Sequence, residues 1–137
     1  MMHGTHREEK NEILQGSESV LLIDDEEMVL DVSKELLEGL GYQVLTASRG
    51  REAITTLEAK ADEIDLVILD FTMPEMSGKE TFNRLRAIKP EVRVLLSSGY
   101  SLNEEVQEIL DQSGTGFIQK PFRLQTLSQK MRDMLDT

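Results

Sequence analysis

The chain has 137 residues, of which 26 are acidic and 15 basic, and its formal net charge of −11 opposes direct binding to nucleic acid, because phosphate contacts need a basic surface. The absence of cysteine excludes disulfides, thiolate catalysis and thiolate metal sites. No apolar run approaches the ~20 residues that span a bilayer, and residues 1–17 lack the apolar core of a signal peptide, so we expect a cytoplasmic chain without direct membrane contact.

The N-terminal part of the chain divides into a polar leader and the start of a folded domain. Residues 1–17 show no sustained period, which predicts a flexible leader or linker, and residues 18–137 form the predicted domain. The apolar run 20–23 is typical of a buried parallel strand and ends in two aspartates. After these aspartates, four apolar residues recur at helical spacing and predict a first helix: Val29, Val32, Leu36 and Leu40.

The same alternation of strand and helix continues to the C-terminus. Strands are predicted at 42–46, 66–69, 92–96 and 116–119. Capping boxes at 77–80 and 101–104 predict the starts of the third and fourth helices. The apolar positions of the second to fifth helices are Ala53, Ile54, Leu57; Phe82, Leu85, Ile88; Val106, Ile109, Leu110; and Leu124, Leu127, Met131, Met134.

Five strands alternating with five helices predict an α/β fold, with a doubly wound parallel sheet and helices on both faces. A site in such a fold lies beyond the carboxyl ends of the strands, at the point where the winding reverses. The polar residues at the predicted strand ends are Asp24, Asp25, Asp70, Ser97, Ser98 and Lys120.

Three carboxylates in one place repel one another unless they bind a cation or share protons. Because neither histidine nor cysteine is in the set, all donors are hard oxygens, which favours Mg²⁺. The cation and Lys120 would bring the cluster near neutrality, so that it could receive a phosphoryl group. A carboxylate can attack phosphorus to give an acyl phosphate, and the central strand makes Asp70 the candidate nucleophile.

Four motifs carry a family resemblance: Ile23-Asp24-Asp25-Glu26; Leu69-Asp70 followed by Met73-Pro74 and Ser77-Gly78; Ser98-Gly99-Tyr100; and Lys120-Pro121-Phe122. Together they resemble the CheY-like receiver domain of two-component response regulators, over residues 19–137. The resemblance implies a flavodoxin-like (βα)5 fold with strand order 2-1-3-4-5.

The resemblance also implies roles for single residues. Asp70 is the expected phosphoacceptor, and Mg²⁺ or Mn²⁺ is expected on Asp24, Asp25, Asp70 and the backbone carbonyl of Thr72. Lys120 is expected to pair with the phosphoryl oxygens, and its bond to Pro121 to be cis. The remaining expectations are a switch pair, Ser98 and Phe117, and two positions that tune the lifetime of the acyl phosphate, Thr72 and Tyr100.

The segments EILQGSESVLLIDDEE and GFIQKPFRLQTLSQKMRDMLD are similar to the C-terminal receivers of hybrid sensor histidine kinases, which we favour over a single-domain regulator. The expected partner is then a histidine kinase or a histidine-phosphotransfer domain, docking beside the site and the first helix. Phosphorylation would change the surface of helix four, strand five and helix five, through which a homodimer could form. The chain would support its own phosphorylation and dephosphorylation without being a conventional enzyme, either free in the cytoplasm or tethered to a membrane-bound sensor kinase.

Three other functions are compatible with parts of the pattern. A pseudo-receiver would serve only for docking or dimerisation, although all the phosphorylation residues are retained. A phosphatase of the haloacid-dehalogenase type also uses an aspartate after a central strand together with Mg²⁺. Its sequence pattern, however, has a second acid two residues later, where this chain has Thr72. A flavodoxin-like carrier is opposed by the four acids at residues 24–27, which would repel a flavin phosphate.

Overall fold

A computed structural model describes residues 13–72, 76–99 and 103–137 of the protein. Strands and helices alternate along the chain. Among the described residues, no helix combines the length and apolarity that crossing a membrane requires. The elements are β1 Ser19–Ile23, α1 Glu27–Gly39, β2 Gln43–Ala47, α2 Gly50–Lys60, β3 Leu66–Asp70, α3 Gly78–Ile88, β4 Arg93–Ser98, α4 Glu104–Leu110, β5 Thr115–Gln119 and α5 Leu124–Leu135.

The five strands form one parallel sheet in the order β2-β1-β3-β4-β5, which confirms the predicted fold. Two apolar clusters cover its faces. One cluster joins the sheet to α1 and α5, and the other joins it to α2, α3 and α4. The winding reverses between β1 and β3, so the carboxyl ends of these two neighbouring strands flank the crevice where a site is expected.

The central strand β3 is buried along its whole length. Leu66 and Ile68 belong to the cluster under α1 and α5, whereas Val67 and Leu69 belong to the opposite cluster. Each such side chain contributes roughly 1.5–3 kcal/mol by leaving water. The last residue of the strand, Asp70, is therefore held on a rigid element with little freedom to move.

The helix predicted from Val29, Val32, Leu36 and Leu40 is present as α1, but these four residues are not the ones it buries most fully. The helix buries Leu30, Ser33 and Leu37, whereas Val32 is 53% exposed and Met28 is 79% exposed. Two apolar stripes lie side by side on this helix. The stripe that packs on the sheet is interrupted by the polar Ser33, so it is difficult to recognise in the sequence. The second stripe, which contains Val29, Val32 and Leu36, borders solvent; Val29 and Leu36 are half-buried, and of the four residues that predict the helix only Leu40 is fully buried.

Helix starts are set by single capping side chains. In α3, Ser77 Oγ accepts a hydrogen bond from the Glu80 amide at 3.0 Å, which agrees with the predicted cap. The predicted start of the fourth helix at Ser101 is wrong, because α4 begins at Glu104. There Asn103 Oδ1 accepts from the Val106 amide at 2.9 Å. Ser101 itself lies outside the described residues.

The part of the predicted leader that the structure describes, residues 13–17, is bound to the fold. The Leu14 amide donates to Ser128 Oγ at 3.2 Å, and the Gly16 amide donates to the Leu40 carbonyl at 3.0 Å. Contact with the domain therefore begins before residue 18, where the sequence analysis placed the boundary. These contacts could not be predicted because Leu14 and Ser128 are far apart in the chain.

Arg132 on α5 joins the residue before β1 to the residue after α5. Arg132 donates to both carboxylate oxygens of Glu18, at 2.8 and 3.0 Å, to Asp136 at 2.5 Å and to the Tyr42 hydroxyl at 3.3 Å. The hydrogen bonds from Arg132 lower the pKa of Glu18 from 4.5 to about 2, against the opposing effect of burial. Glu18 and Arg132 thus form a bidentate, charge-assisted pair at the amino edge of the sheet.

Candidate metal centre

The carboxyl ends of three strands bring four charged side chains together. Asp24 and Asp25 follow β1, Asp70 ends β3, and Lys120 follows β5. Lys120 Nζ lies 2.5 Å from Asp24 Oδ2 and 3.4 Å from Asp70 Oδ2. The sequence analysis predicted this convergence, and it follows directly from the parallel sheet.

Two of the three carboxylates are buried. Asp24 is 2% exposed and Asp70 is 1% exposed, whereas Asp25 faces solvent. Asp24 accepts hydrogen bonds from Lys120 and, at 2.9 Å, from the Glu26 amide. Both of its oxygens are thus satisfied within the protein.

The two oxygens of Asp70 differ. Oδ1 accepts from the Thr72 amide at 3.1 Å and from Thr72 Oγ1 at 2.8 Å. Oδ2 is buried and accepts no hydrogen bond from any residue that the structure describes; Lys120 at 3.4 Å forms an ion pair without hydrogen-bond geometry. A buried carboxylate oxygen without a donor is costly, so Oδ2 is the atom that a ligand would satisfy.

The charges of the cluster perturb one another. Burial raises the pKa of Asp24, and the charge of Asp70 adds to this, while the hydrogen bonds from Lys120 and Glu26 oppose it. Burial likewise raises the pKa of Asp25, with a further contribution from Asp70. Burial lowers the pKa of Lys120, but its contacts with Asp24 and Asp70 outweigh that effect and leave the pKa raised. The lysine therefore stays charged, and two negative charges remain unbalanced.

The residues present fit a divalent metal ion. One carboxylate oxygen each from Asp24, Asp25 and Asp70 lies within 4.8 Å of the other two. All of these donors are hard oxygens, and the three carboxylates with Lys120 leave a charge excess of −2.

Of the remaining predicted site residues, the structure describes Ser98, Phe117 and Pro121. Ser98 ends β4 and is buried, and its carbonyl accepts from the Lys120 amide at 2.8 Å. Phe117 is half-buried on β5 and packs against the cluster under α2, α3 and α4. The peptide bond between Lys120 and Pro121 is cis, as expected. Tyr100 lies outside the described residues.

The sequence analysis missed an apolar groove beside this centre, which we call the rim groove. Its volume is about 740 Å³, and it runs from the exposed stripe of α1 to the metal centre. The signal was present, because α1 carries more apolar residues than one buried face needs. The groove is lined by the α1 residues Met28, Val29, Val32 and Leu36, by Phe122, and at its inner end by Thr72 and Lys120.

The family model for the response regulator receiver domain matches residues 20–132. The sensor kinase CckA of Brucella abortus is 34% identical over 128 residues, which cover 93% of this chain but 14% of that protein. This chain thus spans about one seventh of the length of that relative.

Two solved structures share the fold. The receiver domain of the hybrid histidine kinase CckA has a TM-score of 0.74 and 32% identity, over 85% of this chain and 98% of that one. The CheY of a CheX–CheY–BeF3–Mg complex from Borrelia burgdorferi has a TM-score of 0.79 and 26% identity, over 85% and 87% of the two chains.

Proposed function

The chain belongs to the response regulator receiver domain family of two-component signalling, and on this basis we propose that Asp70 is its phosphoacceptor. The observation that carries the proposal is the buried Asp70 Oδ2, which accepts no hydrogen bond from the described residues and faces Lys120. A carboxylate oxygen held in this way is free to form a bond to phosphorus.

Asp70 Oδ2 attacks the phosphorus of a phosphohistidine on the donor. The Oδ2–P bond forms as the P–N bond breaks, and the electron pair returns to the imidazole nitrogen. Lys120, 3.4 Å from Oδ2, stabilises the charge on the phosphoryl oxygens. The rigid β3 strand and the two hydrogen bonds from Thr72 to Oδ1 hold the carboxylate in one orientation during transfer.

The metal in this proposal is Mg²⁺, with Mn²⁺ as a substitute. Asp24, Asp25, Asp70 and the Thr72 carbonyl would hold it. When bound, it offsets the repulsion between the carboxylate and the anionic phosphoryl group. The all-oxygen donor set supports this choice, as does the Mg²⁺ of the related CheY complex.

Phosphorylation acts as a switch in this proposal. Ser98 turns toward the phosphoryl group, and Phe117 fills the space behind it. The surface of α4, β5 and α5 then changes, and a homodimer forms through it. Thr72 and Tyr100 tune the lifetime of the acyl phosphate, so that the chain controls its own phosphorylation and hydrolysis.

The donor is a histidine kinase or a histidine-phosphotransfer domain, as receiver domains use. We place its docking surface on the rim groove, where Met28 and Val32 are among the few large apolar side chains exposed on the described residues. A receiver from a cytoplasmic part of a hybrid kinase fits best, because the CckA relatives are sensor kinases. The acidic surface argues against a nucleic-acid partner.

Intact mass spectrometry after incubation with acetyl phosphate and Mg²⁺ tests this function. We expect a single phosphoryl adduct that requires Mg²⁺ and is absent from Asp70→Asn. Asp25→Asn is the variant to compare with Asp70→Asn, because it also removes one carboxylate charge from the centre but keeps the proposed acceptor. A loss of the adduct in Asp25→Asn therefore reports on the metal and not on the acceptor. An adduct that persists in Asp70→Asn would place the acceptor elsewhere. Failure of both labelling and Mg²⁺ binding would instead indicate a pseudo-receiver.

A further inference from the structure

A second cavity lies between the starts of α2 and α3, on the sheet face opposite α1. Its volume is about 780 Å³, and we call it the arginine groove. It shares no lining residue with the rim groove. Three arginines, Arg49, Arg51 and Arg84, line it together with Glu80 and two apolar side chains, Ile54 and Met76.

The glycine that begins α2 shapes this groove. A Cβ atom on Gly50 would lie 2.9 Å from Thr81 Oγ1 and 3.1 Å from Met76 Sδ, which is closer than side chains normally approach. Gly50 thus lets the start of α2 pack closely against α3. Because of this close approach, the guanidinium groups of both elements border one cavity.

The arginine groove carries uncompensated positive charge. Arg84 pairs with Glu80 at 3.2 Å, so these two charges balance. The side chains of Arg49 and Arg51 make no hydrogen bond or ion pair with any residue in the described part of the chain; only their backbone carbonyls accept, from Ala53 and Thr55. Glu52, beside Arg51 in sequence, instead accepts from the Ser48 amide at 2.7 Å. Among the described residues that line the groove, positive charges thus exceed negative ones by two, in a chain whose net charge is −11.

A positively charged cavity in an otherwise acidic chain favours the binding of a small anion. Guanidinium groups bind phosphate in a bidentate geometry. A nucleic acid or an acidic protein would also meet the rest of the acidic surface, which repels it. A small ligand senses mainly the nearest charges, because screening limits the field to about 8 Å at physiological salt. The groove volume falls in the range of small-molecule sites, roughly 300–1,000 Å³.

We propose that the arginine groove binds a nucleotide with at least two phosphate groups. The phosphates contact Arg49 and Arg51, and the base packs against Ile54 and Met76. The guanidinium groups of Arg49 and Arg51 supply the charge for the phosphates, and the two apolar side chains supply a contact that inorganic phosphate would not use. The proposal is independent of phosphorylation at Asp70.

Calorimetric titration with ATP in the presence of EDTA tests it, because EDTA removes divalent ions that could hold ATP at the metal centre. We expect saturable binding below ~1 mM. The double variant Arg49→Gln/Arg51→Gln should weaken it by at least ~10-fold. The double variant Lys34→Gln/Lys60→Gln removes the same charge elsewhere and should bind as the unmodified chain does. Asp70→Asn should also bind normally.

Three results would overturn the proposal. The first is no saturable ATP binding in that range, and the second is equal weakening in both double variants, which would indicate general charge attraction. In the third, inorganic pyrophosphate binds as tightly as ATP, which would make the base irrelevant and the ligand a simple polyphosphate. Circular dichroism of each variant checks that the fold is kept.

Discussion

Replacing Glu18 by glutamine tests the ion pair that closes the amino edge of the sheet. Glu18 has an ordinary pKa of 4.5 and a pKa of about 2 in the folded chain, where Arg132 binds both of its oxygens. A lowered folded-state pKa stabilises the fold above the unfolded pKa, and that stability is lost as the pH falls through the folded pKa. A shift of about 2.5 pH units corresponds to about 3.4 kcal/mol. Solvent screening at this partly exposed pair reduces the figure to about 2 kcal/mol.

We therefore expect Glu18→Gln to lower the free energy of unfolding by about 2 kcal/mol at pH 7, and by less than half of that at pH 3. Urea unfolding of the unmodified chain and the variant at several pH values measures the difference. The matched control is Glu38→Gln, whose partner Lys34 is 4.0 Å away and exposed, and which should change stability by less than about 0.5 kcal/mol. A loss that does not vary between pH 7 and pH 3 would show that Glu18 acts through packing, and the charge argument would be wrong.

Four further predictions concern the metal centre, the rim groove and one glycine. Lys120→Met should lower the free energy of unfolding by about 3 kcal/mol, because two buried carboxylates lose their counter-charge; urea unfolding in EDTA measures it, and an unchanged midpoint would contradict it. Mg²⁺ at ten times its Kd should stabilise the chain by about 1.4 kcal/mol in thermal unfolding, whereas Asp25→Asn should lose most of this gain; an equal gain in both would place the ion elsewhere. Val32→Asp should slow phosphoryl transfer from a phosphohistidine donor at least ~10-fold without affecting labelling by acetyl phosphate, and equal slowing of both would refute a docking role. Gly41→Ala should cost at least about 1 kcal/mol in urea unfolding, since Gly41 has φ of +108° and a Cβ would lie against the Gly16 carbonyl; a neutral result would show that residues 13–17 give way.

The strands and the charged centre could be predicted from sequence because local signals determine both. Each buried strand is a short apolar run, and a parallel sheet brings the residues after β1, β3 and β5 to one edge. Asp24, Asp70 and Lys120 were therefore predicted together without any knowledge of side-chain packing. The strand order itself came from the family resemblance.

The remaining features depend on choices that the pattern leaves open. Helix α1 has two apolar stripes one residue apart, and only packing against the sheet decides that Leu37 is buried and Val32 is not. Asn103 and Ser101 are both good caps, so the start of α4 was ambiguous. Contacts across more than a hundred residues, such as Arg132 with Glu18, leave no mark in a local window.

The Arg132 pair has a consequence for how the domain can be tethered. It holds Glu18, just before β1, beside Asp136, just after α5, so the residues that flank the first strand and the last helix meet at one point. That point is at the amino edge of the sheet, whereas Asp70 lies at the other edge, a strand of five residues or roughly 16 Å away. Fusion of another domain, a surface anchor or a fluorescent label beside Glu18 or Asp136 would therefore leave the Asp70 carboxylate at the opposite edge from the attachment.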